Sequence, residues 1–428
     1  MEAEAINVIS VLPSTLPSMN LMLVFGILLA FGALGGLLAA RVRWLPTITG
    51  FMTLGLIVGP SGLGVLSQEA LDGARVLVDI ALGLILFQLG SVLHPWLALK
   101  NRALVVTSLI ESGLTFIAIF SLAIWIGSPP IVAMLAAAIS VSSSPAVLMH
   151  VAHELRAEGP TVEAAESLVA MNNVIAFVLF SLALPFALAD SQVSLLTAMM
   201  LPIYQMIGAI AVSVVVAWVV TRIALLTRSD EAHFRFALVV GAVMLALGLA
   251  ETFQVSRLFA ALSLGIACRW LQGESRLTRV EFGGGGDVFF IILFVFAGAN
   301  LHLHDMVTYA PVAAACVLAR TLAKTTSVYG CGLVFGYTHR QSVAVGLLLV
   351  PMAGLAIGLA QTTSSLMPEL GAQVSALVLA AVAVFETIGP PIAALALRMS
   401  GDAGRAAPVR ELSPAPPVVA ADSAAPHR

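Results

Sequence analysis

The chain has 428 residues, of which 60% are hydrophobic and 10% are charged, and its mean hydropathy is +1.03. A soluble domain is about half apolar and about a quarter charged, so this composition excludes an ordinary globular protein. The formal net charge of −3 comes from 23 acidic and 20 basic residues, a balance that gives no reason to expect a nucleic-acid partner. The sequence therefore predicts an all-α polytopic membrane protein.

A helix that crosses a bilayer needs ~20 mostly apolar residues. Apolar runs of about this length follow one another along the chain. The polar stretches between them are brief and leave no room for a soluble domain. We predict about thirteen transmembrane helices, of which the ninth and tenth are short. Their ranges are 20–40, 45–66, 76–93, 103–126, 131–152, 164–187, 196–220, 234–253, 255–270, 283–301, 311–335, 342–362 and 374–397.

The basic residues orient these spans. With thirteen crossings, 16 of the 20 Lys and Arg residues fall on one side, two fall on the other, and two lie inside a span. Basic residues accumulate on the cytoplasmic side of membrane proteins. The distribution predicts an external N-terminal segment (1–19), a transmembrane domain (20–398) and a cytoplasmic tail (399–428). The tail is Pro- and Ala-rich, and we expect it to be disordered.

The transmembrane domain contains a hidden duplication. We predict repeat one at 20–187, a linker helix at 196–220 and repeat two at 234–397. The fifth and twelfth spans carry matching interruptions near their centres, and the prolines of these interruptions are 206 residues apart, against 214 for the starts of the repeats. Because seven helices separate the copies, the second must be inverted. The interruptions contain Ser142, Ser143, Ser144 and Pro145 in one copy, and Pro351 and Gly354 in the other.

Helices broken at mid-membrane expose backbone carbonyls, which are tolerated only where they are buried in protein or line a cavity. Together with the hydroxyls of Ser142, Ser143 and Ser144, these carbonyls would suit a small dehydrated cation. The alternative is a pair of proline kinks filled by neighbouring helices. Two interruptions in matching positions favour a binding site.

Ionisable side chains inside the bilayer are costly and are candidates for function. Arg320 and Lys324 lie four residues apart on one face of the eleventh span, and Glu111 lies in the fourth span at the matching repeat position. These three could couple proton movement, or they could form a structural ion pair. For Glu386 and Asp79 a structural role is at least as plausible as a functional one. Glu386, for example, could cap a broken helix.

Two further polar features lie near the interruptions. Asn172 and Asn173 are adjacent amides in the sixth span, where they could bind the ion or join helices by hydrogen bonds. His150 lies at the cytoplasmic end of the fifth span, where we expect a solvated side chain.

Four groups of residues, taken in order, carry a family resemblance. They are Gly50, Gly55, Gly59 and Pro60 in the second span, residues 84–90 in the third, Ser142-Ser143-Ser144-Pro145 in the fifth with Glu154 beyond it, and Arg320 and Lys324 in the eleventh. Over residues 20–398 the chain resembles the monovalent cation:proton antiporter superfamily, which includes sodium/proton exchangers and Kef-type potassium efflux proteins. The resemblance implies a core domain with crossing broken helices 5 and 12, and a panel that forms a homodimer.

The chain departs from the family at one position. The resemblance implies a key carboxylate on the sixth helix, but this chain has Asn172-Asn173 there, and an amide cannot exchange a proton or neutralise a cation. We therefore expect another group to carry the proton. Burial penalises the charged form of a lysine, so Lys324 is the candidate, with Glu111 in reserve and Arg320 in an electrostatic role.

The expected function is exchange of a monovalent cation, Na⁺ or K⁺, for protons by alternating access in the bacterial plasma (inner) membrane. The alternatives are an uncoupled transporter, a transporter of another solute such as an anion, and a non-transporting membrane sensor. The sequence has no nucleophile triad and no phosphate-loop motif, so we expect no enzyme activity and no cofactor. Its three cysteines show no metal-ligand spacing, so we expect no metal other than the transported cation.

Overall fold

The structure is a computed structural model that describes residues 20–42, 46–92, 101–189, 195–226, 232–272, 283–301 and 310–405. Every regular element within these ranges is an α-helix. The helices are α1 (Leu21–Ala40), α2 (Thr47–Val58), α3 (Gln68–Val92), α4 (Arg102–Trp125), α5 (Pro130–Ser140), α6 (Pro145–Glu154), α7 (Pro160–Ala189), α8 (Leu195–Leu226), α9 (Ala232–Thr252), α10 (Arg257–Gln272), α11 (Gly283–Ala299), α12 (Ala310–Val334), α13 (His339–Leu348), α14 (Gly354–Leu366) and α15 (Pro368–Ser400).

The helix order confirms the predicted all-α class with two broken helices. The fifth span is divided into α5 and α6, and the twelfth into α13 and α14. Seven of the described helical segments are long and apolar enough to cross a membrane. The count of thirteen crossings stays a prediction, although grouping each broken pair as one span reproduces the predicted order.

Several predicted boundaries need correction. The second span is helical only to Val58, because Gly59 and Pro60 end the helix and residues 59–66 form a compact turn in which Leu66 N donates to Val58 O at 2.9 Å. The last helix extends beyond the predicted end of its span to Ser400, and Gly401 closes it with a φ of 82°. The proposed external segment 1–19 lies outside the described residues.

The beginning of the tail, predicted to be disordered, is packed against the protein as far as residue 405. Asp402 is fully buried, its carboxylate accepts a hydrogen bond from Thr161 N at 3.0 Å, and Gly404 N donates to Leu155 O at 2.9 Å. A carboxylate is favourable at a helix N-terminus, and Asp402 occupies that position at α7. Residues 406–428 lie outside the described part of the chain.

The helices pack in two groups. Helices α1–α3 and α8–α11 form the panel, while α4–α7 and α12–α15 form the core domain. Within the panel, helices approach closely through glycines: a Cβ at Gly90 would lie 2.2 Å from Leu262 O, and one at Gly265 would lie 2.1 Å from Phe87 O. Small residues allow such backbone contact between membrane helices.

Large apolar side chains also cover the outside of the protein. Met22 is 85% exposed, Trp125 84% and Leu37 67%. A water-soluble protein rarely exposes contiguous apolar surface on this scale, whereas lipid tails solvate it. The surface therefore agrees with the membrane location that the composition predicts.

Candidate functional site: the crossing and its cavity

The two unwound segments meet inside the core domain. Helix α5 ends at Ser140 and α6 begins at Pro145, whose missing N–H is no loss in the first turn of a helix. The serine before it, Ser144, accepts a hydrogen bond from Val147 N at 3.4 Å and so caps α6. The local sequence thus provides both the stop of one half-helix and the start of the next.

Two hydrogen bonds join this break to the break between α13 and α14. Ser144 N donates to Pro351 O at 2.8 Å, and the Ser143 hydroxyl donates to Leu349 O, also at 2.8 Å. Helix α15 passes closely by, since a Cβ at Gly389 would lie 3.1 Å from the Pro351 Cβ. Residues 141–144 and 349–353 therefore form one structural unit, called the crossing below.

Arg320 of α12 fills the crossing on the side where α5 and α13 end. Its Nε donates to Ser140 O at 2.8 Å, and its guanidinium also donates to the carbonyls of Ser142, Leu349 and Val350. The last carbonyls of a helix have no partner within it and carry partial negative charge. A guanidinium has five donors, so a single buried side chain neutralises both helix ends. The plane of Arg320 also lies over the Phe385 ring, 4.8 Å from its centre.

Lys324 lies one turn further along α12 and forms an ion pair with Glu111 of α4. Its ammonium also donates to Val141 O at 2.9 Å, and neither charged side chain reaches solvent. Thr115 donates to the Glu111 carboxylate at 3.2 Å. The lysine predicted to exchange protons is thus engaged by a carboxylate and a helix-end carbonyl, which is the structural pairing that the sequence left open.

The two asparagines of α7 take part in different contacts. Asn173 Oδ1 accepts a hydrogen bond from Ser143 N at 3.1 Å, so this residue joins the crossing. Asn172 Oδ1 instead accepts from the Ser108 hydroxyl of α4 at 3.0 Å. Within the described chain, neither amide nitrogen has a hydrogen-bond acceptor. Both side chains are fully buried.

A cavity of about 510 Å³ lies between the panel and the core domain, on the side of the crossing where α6 and α14 begin. Panel helices α3, α10 and α11 line one wall, and α6, α14 and α15 line the other. At one end lie the exposed Arg75 and the half-buried Asp79, the latter paired with Arg257 at 2.8 Å. At the other end the cavity reaches Ser144, Pro145 and Gly354 of the broken helices, together with Glu386.

The cavity divides the predicted site residues into two sets. Ser144, Pro145, Gly354, Glu386 and Asp79 border it. The remaining candidates lie behind the crossing and are not part of the cavity wall: Ser142, Ser143, Asn172, Asn173, Pro351, Arg320, Lys324 and Glu111. The candidates behind the crossing form one hydrogen-bonded network with Ser144, and a solute in the cavity meets only its edge.

The opposite end of the panel–core boundary is closed by polar contacts that sequence reasoning missed. The Thr47 hydroxyl donates to Glu154 at 2.9 Å and contacts His150 Nε2 at 3.0 Å, and Thr47 N also donates to both carboxylate oxygens at 3.1 Å. His150 is buried rather than solvated, and it packs among Phe51, Phe290 and Phe294. The prediction for His150 is wrong because α2 and α11 cover this end of α6. The Thr47–His150–Glu154 contacts are called the latch below.

Three polar residues beside the predicted Glu111 were missed, although they follow a regular pattern. Ser108, Ser112 and Thr115 join Glu111 as buried polar residues at i, i+4, i+7 and i+3 in α4. That spacing places them on a single helix face. A polar stripe in an otherwise apolar span marks a face turned towards a protein partner, and here the partners are Asn172 and Lys324. The latch, in contrast, joins residues more than 100 positions apart and has no local pattern.

This architecture defines a polytopic membrane transporter with crossed broken helices, and the comparisons agree. The sequence matches the family "Sodium/hydrogen exchanger, transmembrane" over residues 26–397. The chain belongs to this family, which is a family of transporters and not of enzymes.

Solved structures extend the agreement to the whole fold. The chain is similar to the sodium proton antiporter MjNhaP1 from Methanocaldococcus jannaschii at pH 8, with a TM-score of 0.66 and 20% identity over 89% of this chain and 97% of that one. A structure of the same antiporter from electron microscopy gives a TM-score of 0.65 and 20% identity over 90% and 96%. A comparison with curated proteins returns no match.

Proposed function

We propose that this protein is a secondary transporter that exchanges a monovalent cation, Na⁺ or K⁺, for protons by alternating access. The observation that carries the proposal is the cavity, which runs between the panel and the core domain and ends at the broken helices. Membership of the sodium/hydrogen exchanger family supports the choice of cation and proton as substrates.

Alternating access is supported by the unequal ends of the panel–core boundary. A cavity occupies one end, and the latch closes the other. A state open on the opposite side would require the latch to separate while the cavity between the panel and the core domain closes. Such relative motion of two halves is the general scheme of secondary transporters.

The distribution of basic residues supports a cytoplasmic C-terminus and an external N-terminus. In that orientation the cavity opens to the outside and the latch closes the cytoplasmic side. We further propose a homodimer formed through the panel, on the basis of the family resemblance, and a location in the bacterial plasma membrane. A C-terminal tag that is accessible only from outside intact cells would contradict the orientation.

The transport test uses purified protein in liposomes that contain a pH-sensitive dye. We expect the addition of Na⁺ or K⁺ on one side to drive proton movement in the opposite direction. Choline chloride is the control, because it supplies the anion without a small cation. Proton flux that follows chloride would indicate an anion transporter, cation flux without proton flux would indicate an uncoupled one, and no flux would indicate a sensor.

The asparagines offer a second test of the cation site. Asn173→Asp keeps an acceptor for Ser143 N and adds a negative charge to the crossing. We expect the apparent affinity for the cation to increase about tenfold or more, the gain typical of a charged partner. Asn172→Asp is the matched comparison, because its oxygen faces Ser108 of α4 instead of the crossing. Unchanged affinity in Asn173→Asp would argue against a cation site at the crossing.

A further inference from the structure

In the described ranges of the chain, Glu386 is the acidic residue that combines burial, contact with the cavity and lack of a counter-charge. Its side chain is 5% exposed and lies on the cavity wall. Among the residues that the structure describes, none donates a hydrogen bond to its carboxylate or forms an ion pair with it. A buried charge without a partner is strongly unfavourable, so such a group needs neutralisation from outside the protein.

The other charges near Glu386 are already engaged or distant. Helices α2, α5 and α14, which pack against α15, contain no charged residue. On α12, Arg320 is held by backbone carbonyls and Lys324 by Glu111. Other ionisable groups lie on α15 itself, on the helices that pack against it, or on the helices that line the cavity. On the panel they are Glu69, Asp72 and Arg75 in the first turns of α3, Asp79 paired with Arg257, Arg269 in the last turn of α10, and Asp287 near the start of α11. In the core domain they are His150 and Glu154 in the latch, His153 exposed at the end of α6, Glu163 and Glu166 in the first two turns of α7, His339 and Arg340 exposed at the start of α13, and Glu369 and Arg398 near the two ends of α15.

Two helix N-termini lie at the same wall of the cavity as Glu386. Helices α6 and α14 both present their N-termini to the cavity, at Ser144–Ala146 and Ala353–Leu355. Helix N-termini carry partial positive charge and attract anions. A bare cation would therefore be repelled from this end of the cavity unless a carboxylate stood beside it. Glu386 is the carboxylate at that position.

We infer that Glu386 binds the transported monovalent cation and the exchanged proton in alternation, one at a time. This inference rests on the proposed exchange function and names its binding group. When the cation leaves, a hydronium ion in the adjoining water donates its proton to the carboxylate, which forms an O–H bond and leaves a neutral water molecule. When that proton leaves as hydronium, the restored negative charge binds the next cation.

The cavity is large enough for this role. Its volume of about 510 Å³ exceeds the ~30 Å³ that one water molecule occupies in the liquid. A partly hydrated Na⁺ or K⁺ could keep several waters while the Glu386 carboxylate and the Ser144 hydroxyl provide protein oxygens, the ligand type that such hard cations prefer. Because one carboxylate gains either one cation or one proton, the exchange would move no net charge.

A purely structural role for Glu386 makes a different prediction. The carboxylate could balance the helix N-termini, as Arg320 balances the helix C-termini on the other side of the crossing. Glu386→Gln would then lower the melting temperature but leave the response to cations unchanged. Transport and binding must therefore be measured on the same variants.

The experiment uses the full-length chain with Glu386→Gln, Glu386→Asp and the control Glu369→Gln. Glu369 is an exposed acid in the first turn of the same helix and lies outside the cavity. Proton flux in liposomes is measured against NaCl and KCl at several pH values. The melting temperature of each purified variant is measured in NaCl, KCl and choline chloride, because a ligand that binds only the folded state raises this temperature.

We expect Glu386→Gln to reduce cation-driven proton flux about tenfold or more, the loss typical of removing a charged partner, and to abolish the stabilisation by Na⁺ or K⁺. Glu386→Asp should restore exchange with a shifted half-saturating cation concentration and pH profile, and Glu369→Gln should match the wild type. A wild-type cation response and pH profile in Glu386→Gln would overturn the inference.

Two further outcomes remain decisive. If Glu386→Gln does not fold, wild-type cation affinity and pH profile in Glu386→Asp would overturn the inference, and a shift in both would support it. If the wild type shows no exchange, the proposed function fails, but the melting temperatures still test the site. Stabilisation by Na⁺ or K⁺ that depends on Glu386 would then support binding, and its absence from the wild type would overturn it.

Discussion

The two sides of the crossing treat buried charge in opposite ways. On the side where α5 and α13 end, Arg320, Lys324 and Glu111 are all buried, and each is engaged by a carbonyl or an opposite charge. On the cavity side, Glu386 is also buried but has no partner among the described residues. Charge inside a membrane protein is thus not by itself a marker of the transport site. The informative property is whether that charge is already neutralised.

We expect the two sides of the crossing to have different roles. The paired side holds the broken helices together and stabilises their carbonyl ends. The unpaired side faces the cavity, where we propose that the cation binds. Variants that remove one charge from each side should therefore differ first in stability and then in transport.

The largest effect is expected for Lys324→Gln. It leaves Glu111 buried and unpaired, and breaking one partner of a buried ion pair costs about 3–5 kcal/mol. We expect a much lower melting temperature in detergent, with partial recovery in the double variant Glu111→Gln/Lys324→Gln. A stable Lys324→Gln protein that has lost proton-coupled exchange would contradict the pairing role and indicate that Lys324 carries the proton.

Arg320→Lys should come next, although it keeps the charge. The planar guanidinium of Arg320 donates to the carbonyls of Ser140, Ser142 and Val350 at once. The compact ammonium of a lysine cannot reach all three. Each hydrogen bond lost from a charged group is worth about 1.5–3 kcal/mol. The melting temperature should fall clearly, whereas the same substitution at the exposed Arg340 should have no effect. Equal stability of both variants would show that charge alone suffices at the crossing.

Glu386→Gln should have little effect on stability or should raise it. The substitution removes an unpaired charge from a buried position and breaks no hydrogen bond with a described residue, so the free energy of unfolding should not decrease. The melting temperature in choline chloride, compared with Glu369→Gln, measures this. A fall in melting temperature as large as that of Lys324→Gln would show that Glu386 stabilises the fold, as the paired charges do.

Among the variants expected to lose stability, Glu154→Ala should lose the least, about 1 kcal/mol, because it removes the hydrogen bonds to Thr47 in the latch. An energy of this size changes a two-state equilibrium about fivefold. We expect the population with a closed cavity to increase, so thiol labelling of Ser375→Cys on the cavity wall should slow, by at most this factor. The labelling uses a protein in which Cys268, Cys316 and Cys331 are replaced, so that Ser375→Cys provides the thiol that reacts. All three native cysteines are buried.

Glu158→Ala is the control for that measurement. Glu158 is an exposed acid four residues after Glu154, and its hydrogen bond to Asp402 is made by its backbone N–H, which the substitution keeps. Faster or unchanged labelling in Glu154→Ala would show that the latch does not hold the cavity open.

Much of this site was readable from local sequence. Ser142–Pro145 and Pro351–Gly354 predicted two breaks, because proline cannot continue a helix and glycine and serine tolerate an unwound backbone. The pairing of Glu111 with Lys324 was one of two readings, supported by matching repeat positions. The polar face of α4 was present in the spacing but not recognised.

The sequence by itself determined the class of protein, the order of the helices and the inventory of buried charges, because each depends on composition and short-range periodicity. Only the tertiary structure decided which charges are neutralised. Lys324 meets Glu111 across 213 residues, and Thr47 meets Glu154 across 107. Glu386 lies on the cavity wall only because α15 packs beside the crossing, where α3 and α11 line the other wall of the cavity. Electrostatic neutralisation depends on distances of a few ångströms between remote segments, and no local pattern encodes those distances.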